Sequence, residues 1–219
     1  MASRAPLIYG RLRVQGAYEM KSCEYDGEAF TEMRSHPWHD AVASTDYRYY
    51  DLKAHPELIR TALEDYIPWS QYAAVTQLYE LLEGLNGTAS ILESNDCAFS
   101  GPSQSEGLQL GKSLQCEGRV MILFRELELN LSRPRIEELT YGIHVYLAEH
   151  DREFEWGMVG TTVVPVRYID LPGEEEQNLG YQLMLSFWAW GDSEPEVMGN
   201  LDRVLKNLAQ ALGEAGTGG

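Results

Sequence analysis

The chain has 219 residues, 44% of them hydrophobic and 23% charged, and a formal net charge of −17. That composition excludes a disordered polymer, and the length sustains one core that buries roughly 70% of the unfolded surface. No run of about 18 apolar residues occurs, so no transmembrane helix is expected, and the excess of acid disfavours nucleic acid and anionic lipid as partners.

Residues 7–18 hold a short alternation, Leu7 and Tyr9 then Leu12 and Val14, which suggests an edge strand. No continuous apolar stretch lies between Met1 and Met20, so no secretory signal is expected. Asp26 and the run from Glu28 to Arg34 suggest a short helix stopped by Pro37. The segment from Ser35 to Tyr50 is aromatic and turn-like. Pro56 suits the first turn of a helix with Leu58, Ile59, Leu63 and Tyr66 on one face, and Pro68 ends it. A second helix opens near Trp69 or Ser70, carries Tyr72, Val75, Leu78, Tyr79 and Leu82 at helical spacing, and closes at Gly84 and Asn86-Gly87. Together they read as a helical hairpin.

Residues 88–93 suggest a strand. Residues 94–118 are rich in Ser, Gly, Gln and Asn, which predicts a long loop or a hairpin with a mobile tip. That stretch is the one possible internal boundary in an otherwise single domain over 1–213, with 214–219 as a flexible glycine-rich tail.

The second half is more regular. Arg119 to Leu129 predicts a strand whose end alternates through Leu127 and Leu129. Pro134 starts a helix with Ile136, Leu139, Ile143 and Leu147 on one face, although the β-branched and aromatic residues over 141–147 leave a strand open there. Phe154 to Tyr168 is strand-rich, and Pro165 argues for an edge or a bulge. Tyr181 to Trp190 predicts a strand with Tyr181, Leu183, Leu185, Phe187 and Ala189 on one face and Met184, Trp188 and Trp190 on the other. The last helix runs from about Ser193 to Leu212, opened by a capping box of Ser193 and Glu196. The whole predicts an α+β fold: an antiparallel sheet from the second half, packed by a helical hairpin and a C-terminal helix.

The charge is unevenly placed. Residues 61–111 carry seven acids and no Lys or Arg, and residues 168–202 carry eight acids and again no Lys or Arg, which accounts for −15 of the −17. Such a field attracts basic partners. Glu174, Glu175 and Glu176 lie at one end of the Tyr181–Trp190 strand, and Asp192, Glu194 and Glu196 at the other. With Trp190 as an aromatic anchor, they are the candidate partner-binding residues. A solvated surface that aids solubility is the plainer reading of the same acids.

No familiar catalytic motif is present: no G-x-S-x-G, no P-loop, no dinucleotide fingerprint and no H-E-x-x-H. His36, His39 and Asp40 form the one cluster of metal-ligand types, without companions at ligand spacing, so no metal and no cofactor is expected. Glu126 and Glu128 would share a strand face, the ordinary pattern of a half-exposed strand rather than a catalytic pair. Cys23, Cys97 and Cys116 lack a CxxC spacing and read as reduced, buried thiols in a cytosolic protein.

The segments Gly160-Thr161-Thr162-Val163-Val164-Pro165-Val166 and Leu185-Ser186-Phe187-Trp188-Ala189-Trp190-Gly191, with the closing helix, resemble bacterial polymorphic-toxin immunity proteins, in particular immunity-protein family 52. The resemblance spans roughly residues 118–212 and carries no catalytic residue or inhibitory motif with it. It implies a non-enzymatic cytoplasmic protein that binds one toxin, a restriction-endonuclease-like nuclease of a type VI secretion system, and blocks its active site or assembly. The alternatives are a hydrolase with an unrecognised site around His36, His39 and Asp40, and a secretion-system adaptor or chaperone for basic clients. The sequence leaves the oligomeric state open.

Overall fold

The computed structural model describes residues 8–11, 19–24, 32–39, 41–42, 48–105, 109–150, 155–169 and 179–217. Five short strands come first: β1 (Ile8–Arg11), β2 (Glu19–Glu24), β3 (Glu32–Ser35), β4 (Ala41–Val42) and β5 (Arg48–Tyr49). Helix α1 (Ala73–Asn86) leads into β6 (Leu92–Gln104) and β7 (Leu114–Phe124). A one-turn helix α2 (Leu127–Asn130) and the long α3 (Arg133–Glu149) follow. Strands β8 (Gly157–Ile169) and β9 (Leu179–Gly191) and helix α4 (Glu194–Thr217) complete the chain.

The main sheet has the order β1-β2-β8-β9-β7-β6, and β3 joins β8 beyond the point where β2 leaves it. Along β6, β7, β9 and β8 each strand is antiparallel to its neighbour, whereas β2 and β3 run parallel to β8. Pro165 falls in the gap: β2 pairs as far as Val163 and β3 begins at Val166. A residue without an N–H is tolerated where the strand has no neighbour on that side.

Side-chain alternation places the core. Leu183, Leu185, Phe187 and Ala189 of β9 are fully buried. They sit in register with Ile122, Val120, Gly118 and Cys116 of β7 and with Val163, Thr161, Val159 and Gly157 of β8. α4 covers this face, packed on β9 with α1 on its β6 side and α3 on its β8 side. Its stripe of Val197, Leu201, Val204, Leu205 and Leu208 is wholly buried, at a spacing that keeps one helical face on the sheet. The opposite face holds a smaller cluster of Met121, Val164, Val166 and Tyr168. Two glycines permit close approaches: a Cβ at Gly118 would lie 2.4 Å from the Phe187 ring, and one at Gly101 would lie 2.0 Å from the Trp69 indole. Phe187 and Trp69 thus dock on bare backbone in β7 and β6.

This is an α+β fold whose central sheet, drawn mainly from the second half, is packed by α1 and the C-terminal helix. α3 forms over the residues that also suited a strand, with Ile136, Leu139, Ile143 and Leu147 buried as expected. The hairpin's first arm differs: Pro56–Arg60 and Ile67–Trp69 are 3-10 turns. Ile59 and Tyr66 are nonetheless buried as expected. A proline near each end of a short segment leaves too few backbone donors to propagate an α-helix.

Two further expectations are corrected, and one that the sequence left open is decided. Glu32–Ser35 is a strand, not the end of a helix, because its backbone pairs with β8; residues 25–31 lie outside the described residues. Of the two readings of residues 94–118, a loop or a hairpin, the hairpin forms: 94–104 and 114–118 are strand, so the possible boundary there falls inside the β6–β7 hairpin. β7 stops at Phe124 rather than Leu129, because Asn130 closes it. The Asn130 Oδ1 accepts the Phe124 N–H at 2.8 Å and its Nδ2 donates to the Phe124 carbonyl at 2.6 Å. Glu126 and Glu128 therefore do not share a strand face. At the C-terminus, α4 continues to Thr217, through part of the expected tail. Among the described residues no helix is long and apolar enough to cross a membrane.

Candidate functional site

The acids after β9 are tied into the fold. Lys112, one residue beyond the first cation-free block, lies 2.8 Å from Asp192 Oδ2 and 2.7 Å from Glu196 Oε1. Its ammonium also stands 4.5 Å from the centre of the Trp156 ring, a cation–π contact. The Lys112 hydrogen bonds hold the Asp192 and Glu196 carboxyls below the usual carboxylate range. Glu196 reaches back to the Asp192 N–H at 2.9 Å while its own N–H points at Ser193 Oγ, 3.4 Å away. The capping box predicted from Ser193 and Glu196 thus exists with its return bond moved one residue upstream. The Tyr72 hydroxyl donates to Glu194, which brings a residue of the first acidic block against the second.

Trp190 was expected on a partner-binding face; it is instead 3% exposed. Its backbone N–H donates to the Trp156 carbonyl at 3.0 Å and its backbone carbonyl accepts from Asn200 Nδ2 at 2.7 Å, so the chain before β8 and helix α4 grip this end of β9 from both sides. Trp188 is the half-buried one, with its indole N–H on Glu117 Oε2 at 2.9 Å. Glu174, Glu175 and Glu176 lie outside the described residues, as does Asp40.

His36 is buried, with Nε2 3.4 Å from the Phe124 carbonyl and its ring edge-on to Tyr168 at 5.7 Å. His39 is exposed. Among the described residues no group of three or more His, Cys, Asp or Glu side chains is placed to hold a metal ion. Burial pushes the Cys97 and Cys116 thiols up to about 12, which keeps both protonated and weakly nucleophilic at neutral pH.

The acids of the first block are also partly answered by cations from outside it. Arg60 makes a bidentate pair with Glu83, at 2.6 and 3.0 Å, Arg119 meets Asp96 at 3.2 Å, and Lys53 pairs with the buried Glu93. Glu64 and Asp65 stay exposed, with no hydrogen bond or ion pair to other described residues.

These two acids border a cleft of about 750 Å³. One wall is the segment around Tyr49 and Tyr50, the second the turn from Ala62 to Tyr66, and the third the Ser94–Ala98 stretch of β6 with Arg119 beside it. The β6 wall exists because the strand bulges between Ser94 and Asp96, which turns Asn95 out of the pairing register. Sequence reasoning missed this site because the polar run Ser94-Asn95-Asp96 read as part of a loop or a hairpin, and neither reading foretells a bulged strand as a cleft wall. The cation-free stretch that contains Glu64, Asp65 and Asp96 was the available signal.

Comparison of the chain with protein-family models, with curated proteins and with solved structures finds no match.

Proposed function

We propose that this protein is an immunity protein that binds and neutralises a cognate antibacterial toxin, a basic nuclease effector, in the cytoplasm of the cell that makes it. The observation that carries the reading is the unneutralised acid at the mouth of the tyrosine-lined cleft. Glu64 and Asp65 remain exposed where neighbouring acids have found cations within the fold. A toxin that must grip a polyanionic substrate presents the complementary charge, so an acidic surface competes for the same groups. The resemblance of residues 118–212 to immunity-protein family 52 supports the same reading. So do the protonated thiols, which make poor catalytic nucleophiles.

Glu174, Glu175 and Glu176 are proposed, from charge alone, to contribute to partner binding. Reversing all three charges is expected to slow association, most strongly at low salt, where long-range attraction is least screened.

The test is co-expression with the product of the adjacent gene, with affinity capture and a growth assay. A tight complex and restored growth are expected. No capture and no rescue would sink the immunity reading, and weak capture of many unrelated basic proteins would point to an adaptor instead.

A further inference from the structure

We propose that β6 takes an extended, basic segment of the partner as an added strand along its outer edge, over residues 96–100. The identity of that partner rests on the functional reading above; the mode of docking rests on the edge itself.

β6 is the terminal strand of the main sheet and, among the described residues, pairs only with β7. The first part of its outer edge is closed by side chains. Arg125 Nε donates to the Leu92 carbonyl at 3.0 Å, and Asn86 Oδ1 accepts the Ser94 N–H at 3.1 Å. Inward and outward backbone groups alternate along an antiparallel ladder, and the bulge between Ser94 and Asp96 shifts that alternation by one residue. Cys97 and Phe99 therefore turn their N–H and C=O away from β7, where no backbone group of another described element meets them. The Trp69 indole over Gly101 and a second bulge between Ser100 and Ser103, at Pro102, end the stretch. What stays open spans about 17 Å, at roughly 3.4 Å per residue.

The cleft beside β6 runs along this edge. The consecutive residues 94–98 all line it, although their side chains alternate between the two faces of the sheet. Cys97 packs against the helix-side core, whereas Asp96 sits in register with Met121 of the opposite cluster. A space that touches both sets lies at the strand's edge, not over either face.

Charge selects the occupant. Lysine is a common guard of such edges, and no Lys or Arg occurs between residues 61 and 111, which include all of β6. The wall facing the edge carries the exposed carboxylates of Glu64 and Asp65, and Arg119 is already held by Asp96 at 3.2 Å. A segment with Lys or Arg at alternate positions gains main-chain hydrogen bonds from the edge and meets these acids with its side chains. A second copy of this chain would bring acid against acid, with a formal charge of −17 on each.

The experiment adds a capped hexapeptide of alternating lysine and valine to the intact protein and follows binding together with exchange of the protein's amide hydrogens. Two controls separate the causes: the same peptide N-methylated at every residue, which keeps the side chains but has no N–H to donate, and a glutamate–valine counterpart. The lysine peptide is expected to bind saturably and to slow exchange at Cys97 and Phe99. Both controls are expected to bind at least about tenfold more weakly. No binding, equal binding of either control, or binding without protection of Cys97 and Phe99 would overturn strand addition by a basic segment. Protection of these amides that grows with protein concentration in the absence of peptide would also overturn it, and would assign the edge to self-association. In the complex with the co-expressed partner the same two amides are expected to be protected. A tight complex that leaves them exchanging as in the free protein would overturn the edge as its docking point and leave the immunity reading standing. Failure to capture any partner would count against immunity, while the lysine peptide still decides the chemistry of the edge.

Discussion

The ammonium of Lys112 lies 2.7 Å from a carboxylate oxygen of Glu196, which joins the turn before β7 to the first turn of α4. The same lysine holds Asp192 at 2.8 Å. Acids that read in the sequence as an open, partner-seeking patch are in the fold a fastening for the N-terminus of its central helix, where negative charge also meets the positive end of the helix dipole.

Lys112→Met is therefore expected to lower the melting temperature and to raise hydrogen exchange in the first turn of α4. The carboxyls of Asp192 and Glu196 titrate below their ordinary range because of this contact. A depressed carboxyl stabilises above its unfolded pKa, and that contribution is lost as pH falls through the folded value. The two proteins should differ at neutral pH and converge on acidification; a gap that persists in acid would rule out the ionic origin.

His144 offers a second pH dependence of a different cause. Its Nε2 lies 2.9 Å from Thr161 Oγ1 inside the α3–sheet interface, and desolvation lowers its pKa from 6.5 to about 4. The unfolded chain binds this proton more readily, so stability is whole above pH 6.5 and drains away as pH falls toward 4. The full effect is about 3 kcal/mol. His144→Gln, which cannot titrate, should flatten that part of the profile in urea unfolding between pH 7 and pH 4.

Trp188 and Trp190 should separate in mutagenesis. Trp190→Ala empties a site that is 3% exposed and is expected to cost about 3–5 kcal/mol in chemical denaturation. Trp188→Ala, at a half-buried position, should cost distinctly less. A reversed order would contradict the packing of this end of β9.

Gly118→Ala places a methyl group where the Phe187 ring already lies, 2.4 Å from its Cζ. Overpacking of this kind is expected to destabilise by about 1–3 kcal/mol. Phe187→Leu in the same background should recover part of the loss, measured as unfolding midpoints of the single and double variants.

The elements that the sequence made legible share a physical reason: a repeating apolar pattern that one face must bury. β9 alternates from Leu183 to Ala189, α4 repeats from Leu201 to Leu212, and α3 repeats from Ile136 to Leu147. All three form with the expected residues inside. The polar run from Ser94 to Gln104 carries no such signal. It becomes strand because β7 supplies its hydrogen bonds, with Phe99 stacked on Tyr66 and the Trp69 indole over Gly101 as apolar anchors. Glu32–Ser35 is likewise recruited to the sheet by β8, against a local pattern that suggested a helix.

Charge followed a similar division. The sequence by itself determined the sign, the amount and the segregation of the acid, since these are sums over residues. Which acids remain available was decided by tertiary structure alone. Lys53, Arg60, Lys112 and Arg119 all lie outside the cation-free blocks, yet each reaches into one of them across the fold. An ion pair needs atoms a few ångströms apart, and that separation depends on how strands and helices pack, not on distance along the chain.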